Sequence, residues 1–183
     1  MADEQSSPLL APVVRSAPDA DIASIREIYA HHVLNGLGTF EETPPTLDEM
    51  GARHAAAVAA GMPYLVATLA ERVVGYSYVT PYRPRPAYRY TVEDSVYIAD
   101  THRGRGIGSA LLSSLIERCE AGPWRQMIAV IGDSANAGSI TLHEKLGFHR
   151  VGTVEAVGYK FDKWVDTVIM QRSLNTGSRT KPL

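Results

Sequence analysis

Residues 92–112, VEDSVYIADTHRGRGIGSALL, constrain the fold more than any other stretch. A β-rich run ends there in a turn holding Gly104, Gly106 and Gly108, and an apolar repeat follows. Ile107, Leu111, Leu115 and Cys119 recur at intervals of four, with Leu112 and Ile116 beside them. That stripe predicts a helix over 106–121 packed on a sheet. A strand, a tight turn and an amphipathic helix in this order form one half of a layered α/β unit.

The rest of the chain supplies the layers. Residues 13–15 are a brief strand. Asp19 is positioned to cap a helix whose Ile22, Ile25, Ile28, Tyr29 and Val33 fall at helical spacing, ended by Asn35-Gly36. The loop 37–45, LGTFEETPP, carries an exposed aromatic, Phe40. An alanine-rich helix then runs from Thr46 to about Ala60 and stops at Gly61 and Pro63. Residues 64–70 and 73–80, joined at Glu71-Arg72, read as a hairpin. Three prolines make 81–90, PYRPRPAYRY, an irregular loop before the strand 91–98. QMIAVI, 126–131, is a continuous apolar strand of the buried kind. A helix over 139–146, capped by Ser139 and closed by Gly147, precedes two further strands, from Phe148 onward and over 164–172. Strands alternating with helices after an opening hairpin give an α/β sandwich around a mixed sheet. At 183 residues this is one domain, 13–174, with flexible ends at 1–12 and 175–183.

Composition narrows the function. A net charge of -2 with scattered Lys and Arg leaves no electrostatic footprint for nucleic acid or an anionic membrane. The single Cys119 excludes an internal disulfide and a cysteine metal cage, and fits a reducing compartment. No apolar run reaches the roughly 18 residues of a membrane span, and the acidic N-terminus is not a signal peptide. A cytoplasmic protein is expected.

The glycine turn sits where a helix begins, so unpaired N–H groups and the helix dipole favour an anion, and Arg103 and Arg105 add positive charge. It is not a P-loop, because Gly108 is followed by Ser109 and no lysine. It is not a dinucleotide fingerprint either, because Ser109 stands where the third glycine belongs. Taken alone, the turn could simply feed the helix. A second feature is 136–148, NAGSITLHEKLGF, which places His143 one helical turn beyond Ser139. A lone helical histidine is usually structural, and with no second ligand at metal spacing no metal is expected.

Together these two features resemble the GCN5-related N-acetyltransferases (the GNAT family). Arg103-x-x-Gly106-x-Gly108 looks like that family's cofactor signature, and 136–148 like its second acetyl-CoA motif. TVEDSVYI, GDSANAGSITLHEKLGFHRVG, VGYKFDKWVDTVIMQR and TFEETPP resemble, more closely, the phosphinothricin and methionine sulfoximine/sulfone N-acetyltransferases. The resemblance spans about 13–172. It implies a mixed, mostly antiparallel sheet with helices on both faces and a splayed strand pair, 91–98 and 126–131, that takes acetyl-CoA. Backbone near Val96, Tyr97 and Ile98 would hold the pantetheine arm. The pyrophosphate would rest on Arg103, Gly104, Arg105, Gly106, Ile107 and Gly108, while Asn136 and Ser139 border the cofactor. Glu93 matches the general base of the resembling enzymes, and His143 would be a proton donor, a second base or structural. A backbone N–H near Val96 would stabilise the oxyanion.

Without the resemblance, Glu93 could be a strand-end carboxylate paired with an arginine such as Arg89. Asp94 alternates to the opposite face and is expected at the surface, and Cys119 in the core. Arg83, Arg85 and Arg89, interleaved with tyrosines, could clamp a carboxylate or phosphinate, or could be solvated. By resemblance Arg83, Pro84 and Arg85 match substrate-binding positions, Phe40 closes the pocket, and the protein is a homodimer. The expected activity is acetylation of a small amino acid or analogue. The alternatives are another amine (a peptide N-terminus, a polyamine, an aminoglycoside) or a non-catalytic acyl-CoA sensor.

Overall fold

A computed structural model describes residues 11–182. All but two residues of the expected N-terminal tail, and Leu183, lie outside the described residues. The elements run β1 (Val13–Ser16), α1 (Ile22–Asn35), α2 (Leu47–Ala59), β2 (Tyr64–Leu69), β3 (Arg72–Pro81), β4 (Thr91–Ile98), α3 (Ile107–Glu120), β5 (Gln126–Gly132), α4 (Ala137–Lys145), β6 (His149–Lys160) and β7 (Lys163–Ser173). The strands form one seven-stranded sheet in the order β1-β2-β3-β4-β5-β7-β6. Each neighbouring pair is antiparallel except β4 and β5.

Local chemistry explains the boundaries. Thr46 and Glu49 close a capping box at the start of α2, satisfying two N–H groups that the helix leaves unpaired. Ala70 and Glu71, and again Phe161 and Asp162, have positive φ at both loop positions. That is the backbone a two-residue hairpin needs to match the strand twist. Two expected caps differ. Asp19 does not cap α1: it opens a short 3-10 turn, Asp19–Asp21, and its carboxylate lies 3.3 Å from His54. The α4 cap is Asn136, whose side chain accepts from the Ser139 N–H, so the helix starts two residues earlier than expected.

Helices cover both faces of the sheet. On one face Leu111, Leu112, Leu115 and Cys119 of α3 pack on Val92, Met127, Val168 and Met170. On the other, Ile25, Ile28 and Val33 of α1 and Met50 of α2 pack on Tyr64, Val66 and Tyr76. Alternation along β4 therefore sends Val92 and Asp94 toward α3 and Glu93, Ser95 and Tyr97 toward α1. Asp94, expected at the surface, is only 7% exposed. The face opposite Glu93 is not open to solvent, because α3 and α4 cover it. After β7, Arg125 donates to Thr176 and Thr180 side chains and to the Lys181 carbonyl, so residues 176–181 lie along the body of the domain.

Candidate active site

Strands β4 and β5 pair only from Thr91↔Gln126 to Asp94↔Ala129. Both continue, β4 to Ile98 and β5 to Gly132, without pairing to each other. The parted strands open a cleft of about 970 Å³. One wall is Ser95, Val96, Tyr97 and Ile98; the other is residues 129–133 with Asn136, Ser139 and His143 of α4. Strand edges that part inside a sheet leave backbone N–H and C=O groups unpaired. An extended, amide-bearing ligand is the natural partner for such edges.

At its open end the cleft meets the start of α3. Gly106 occupies the N-cap position in the left-handed conformation (φ 76°), and no side chain caps the helix. A Cβ at Gly104 or Gly106 would meet nothing within 4 Å, so the turn presents bare backbone to solvent. Its first N–H groups are free to bind an anion at the positive end of the helix dipole. Gly108, by contrast, packs close to Leu142, at 3.1 Å for a built Cβ, and so joins α3 to α4. Arg103 is on the cleft wall but shares Asp100 at 3.1 Å. Arg105 is exposed and lies off the wall.

Three titratable groups border the strand ends. Glu93 is half-buried, and burial raises its carboxyl above the ordinary range; nearby Arg83 opposes the rise and Asp94 adds to it. Among the described residues it makes no ion pair. Arg89 instead lies over the Tyr90 ring at 4.5 Å. His143 is 3% exposed, with Nε2 3.0 Å from Asp94 Oδ2 and Nδ1 2.7 Å from the Ser139 carbonyl. Burial alone would pull the ring down, but Asp94 and the Ser139 carbonyl together push it up. His32, from α1, bonds the Ile98 carbonyl at 2.9 Å and meets Tyr97 edge to face, and burial pulls its ring down.

A family model for the acetyltransferase (GNAT) domain matches residues 14–169. The chain belongs to the GNAT family of acetyltransferases. It is 54% identical over 169 residues to a phosphinothricin N-acetyltransferase of Alcaligenes faecalis, covering 92% of this chain and 86% of that one. It is 42% identical over 163 residues to an L-methionine sulfoximine/L-methionine sulfone acetyltransferase of Pseudomonas paraeruginosa, covering 88% and 94%. A phosphinothricin acetyltransferase of Sinorhizobium meliloti, solved in complex with AcCoA, superposes with a TM-score of 0.92 at 48% identity, covering 95% and 94%. The α/β sandwich, the mostly antiparallel mixed sheet and the helices on both faces are thus those of a GNAT domain.

Within this GNAT domain the expected residues fall into two groups. Val96, Tyr97, Ile98, Arg103, Gly104, Gly106, Ile107, Gly108, Asn136, Ser139 and His143 border one continuous cleft. Arg83, Pro84, Arg85, Glu93 and Phe40 do not line it. The Arg83 guanidinium rests over Tyr82 at 4.4 Å and donates to the Tyr82 carbonyl, while Phe40 packs against Gly158 of β6. The cleft wall also includes residues that sequence reasoning passed over: Asp94, His32 and the turn Gly36, Leu37 and Gly38.

Proposed function

We propose that this chain transfers the acetyl group of acetyl-CoA to the primary amine of a small amino acid or amino-acid analogue, with phosphinothricin and methionine sulfone or sulfoximine as first candidates. The observation that carries this reading is the parting of β4 from β5 just past Asp94, opening on the uncapped start of α3. The edge of β4 past Asp94, unpaired toward β5 although His32 holds the Ile98 carbonyl, suits the amides of a pantetheine arm near Val96, Tyr97 and Ile98, and the bare turn from Arg103 to Gly108 suits a pyrophosphate. Acetyl-CoA supplies an activated acyl carbon in a thioester. Asn136 and Ser139 border its reactive end, although the Asn136 side chain is already spent on capping α4.

The residues then divide the work. An alkyl ammonium must lose a proton before it can attack, and Glu93 is the group beside β4 suited to take it. Its raised carboxyl is a stronger base than an exposed one. The N–H near Val96 stabilises charge developing on the acyl oxygen. Arg83 stands near Glu93, where a cation can draw in the carboxylate or phosphinate of the acceptor; Arg85 follows in the same exposed loop. The lone Cys119 takes no part, since it is buried and its thiol is pushed up to about 12. It fits a reducing, cytoplasmic setting.

The test is thiol release from acetyl-CoA across a panel of amines. Turnover on amino-acid analogues is expected; turnover only on peptides or polyamines overturns the acceptor, and acetyl-CoA binding without any turnover favours a sensor. Arg83→Ala should raise KM for an anionic acceptor by about tenfold, as loss of one charged contact does, and leave KM for acetyl-CoA nearly alone. Equal rises in both would remove Arg83 from acceptor binding.

The homodimer belongs to the same proposal. β6 and the hairpin tip leave Val151, Val157, Tyr159 and Trp164 more than half exposed, an apolar face of the kind that subunit contacts bury. Sedimentation should find a dimer; a monomer at micromolar concentration would remove it.

A further inference from the structure

The two nitrogens of the His143 ring both face oxygen acceptors, and this fixes more than the position of the ring. Nε2 meets the Asp94 carboxylate at 3.0 Å and Nδ1 meets the Ser139 carbonyl at 2.7 Å, with Ser139 Oγ farther off at 3.5 Å. A carbonyl can only accept, so Nδ1 carries a hydrogen. An ionised carboxylate can only accept, so beside an ionised Asp94 Nε2 carries one too. The pair therefore holds a proton on each side of the ring, as imidazolium and carboxylate. No ring lone pair is left for a base, and no N–H is left pointing at a ligand.

The place of the pair is equally specific. Asp94 and Ala129 are the last residues at which β4 and β5 pair, so the carboxylate sits where the cleft closes. His143 rides on α4, which follows β5. The Asp94–His143 contact thus ties the β5 side of the cleft to β4 across the point where they part. Asp94 is 7% exposed and its Oδ1 has no hydrogen-bond partner among the described residues. A buried carboxylate satisfied on one oxygen needs its cationic partner to stay there. Phe148 packs edge-on against the ring at 4.9 Å, and two further titratable groups feel the Asp94 charge, the Cys119 thiol of α3 and the Glu93 carboxyl on the other face of β4. Neither shares a hydrogen bond with the ring.

We propose that Asp94 and His143 are positioning residues, a latch between β4 and α4 that sets the width of the acetyl-CoA cleft, and that His143 neither donates nor accepts a proton in the transfer. This rests on the acetyl-transfer reading for its kinetics but not for its structure. With the latch cut, Asn136 and Ser139 can drift from β4 and the cleft loses its fit to the acyl donor. Glu93, which faces the opposite side of β4, keeps its packing, and loses only the Asp94 charge that adds to the rise of its carboxyl where Asp94 is neutralised.

The experiment compares the full-length chain with Asp94→Asn, His143→Gln and the double variant, across pH, with acetyl-CoA and an accepted amine. KM for acetyl-CoA should rise about tenfold in each, more than kcat falls, and the double variant should be no worse than either single one, because both cut one contact. An acid limb of kcat should remain in every variant, moved only toward lower pH where Asp94→Asn removes the charge that helps to raise Glu93. A fall in kcat of about 10²-fold or more with the loss of a limb would make His143 a proton-transfer group and overturn the latch. Should His143→Gln fail to fold, the imidazole ¹⁵N shifts of the unaltered protein decide: two N–H signals at pH 7 are expected, and a neutral ring overturns the proposal. Should no amine be acetylated, calorimetric Kd values for acetyl-CoA still read the latch, and equal values in all four proteins would sink it.

Discussion

Glu93→Gln should lower kcat by about 10²- to 10⁴-fold, the usual span for a lost general base, and leave the Kd for acetyl-CoA unchanged. Glutamine keeps the size and the polar reach of the side chain but cannot take a proton. Its effect therefore isolates the chemistry from packing against the neighbouring strands. The pH dependence carries the sharper test. Glu93 is inactive as base while protonated, and burial raises the pH at which it ionises. The acid limb of kcat/KM should thus lie above the ordinary carboxylate range, and activity should rise as pH passes through it. A second rise, near the pKa of the free amine, belongs to the acceptor and should survive in Glu93→Gln. If the acid limb persists in the variant, another group is the base.

The same residue marks how far the sequence could be read. Periodicity located α3, and the glycines located the turn that feeds it, because both are local properties of the chain. The apolar run of β5 announced a buried strand, and its unpaired end followed from resemblance. Long-range facts were not legible. Alternation along β4 separated Glu93 from Asp94 but carried no information about what covers the second face. In the folded protein α3 and α4 cover it, and Asp94 finds His143 there, 49 residues away in sequence. The shift of the α4 cap from Ser139 to Asn136 is of another kind: two good capping residues lie within one turn, and the path out of β5 selects between them. The acceptor side was the least legible. Arg83 and Phe40 belong to segments without periodicity: Arg83 rests on its neighbour Tyr82 in an irregular loop, and the placement of Phe40 depends on Gly158 of the distant β6.

The turn that closes the cleft beyond β5 offers the second large effect. Lys160, at the end of β6, is 2% exposed and donates to the Gly36 and Thr39 carbonyls at 2.9 and 2.8 Å. Nothing in the sequence distinguishes this lysine, yet it bridges more than 120 residues to fasten the turn that walls the cleft. Burial lowers the pKa of its ammonium, while Glu42 and Glu41 act the other way. Lys160→Met preserves most of the side-chain volume and strands two inward-facing carbonyls without a donor, at about 1–3 kcal/mol each. The expected loss is roughly 2–5 kcal/mol, and at about 2–4 °C per kcal/mol for a chain of this size Tm should fall by about 5–15 °C. Gly132→Ala attacks the other side of the same turn. A Cβ there would stand 2.2 Å from the Leu37 carbonyl oxygen, a backbone atom that cannot swing aside, so the turn must move. Either change should raise KM for the acceptor or acetyl-CoA while leaving the acid limb assigned to Glu93 in place. Because both act by releasing one turn, their effects on stability should sum to less than the two single losses. Strict additivity in calorimetry would mean that Lys160 and Gly132 hold separate structures, and that the turn at Gly36 to Thr39 is not what connects β5 to the rest of the cleft.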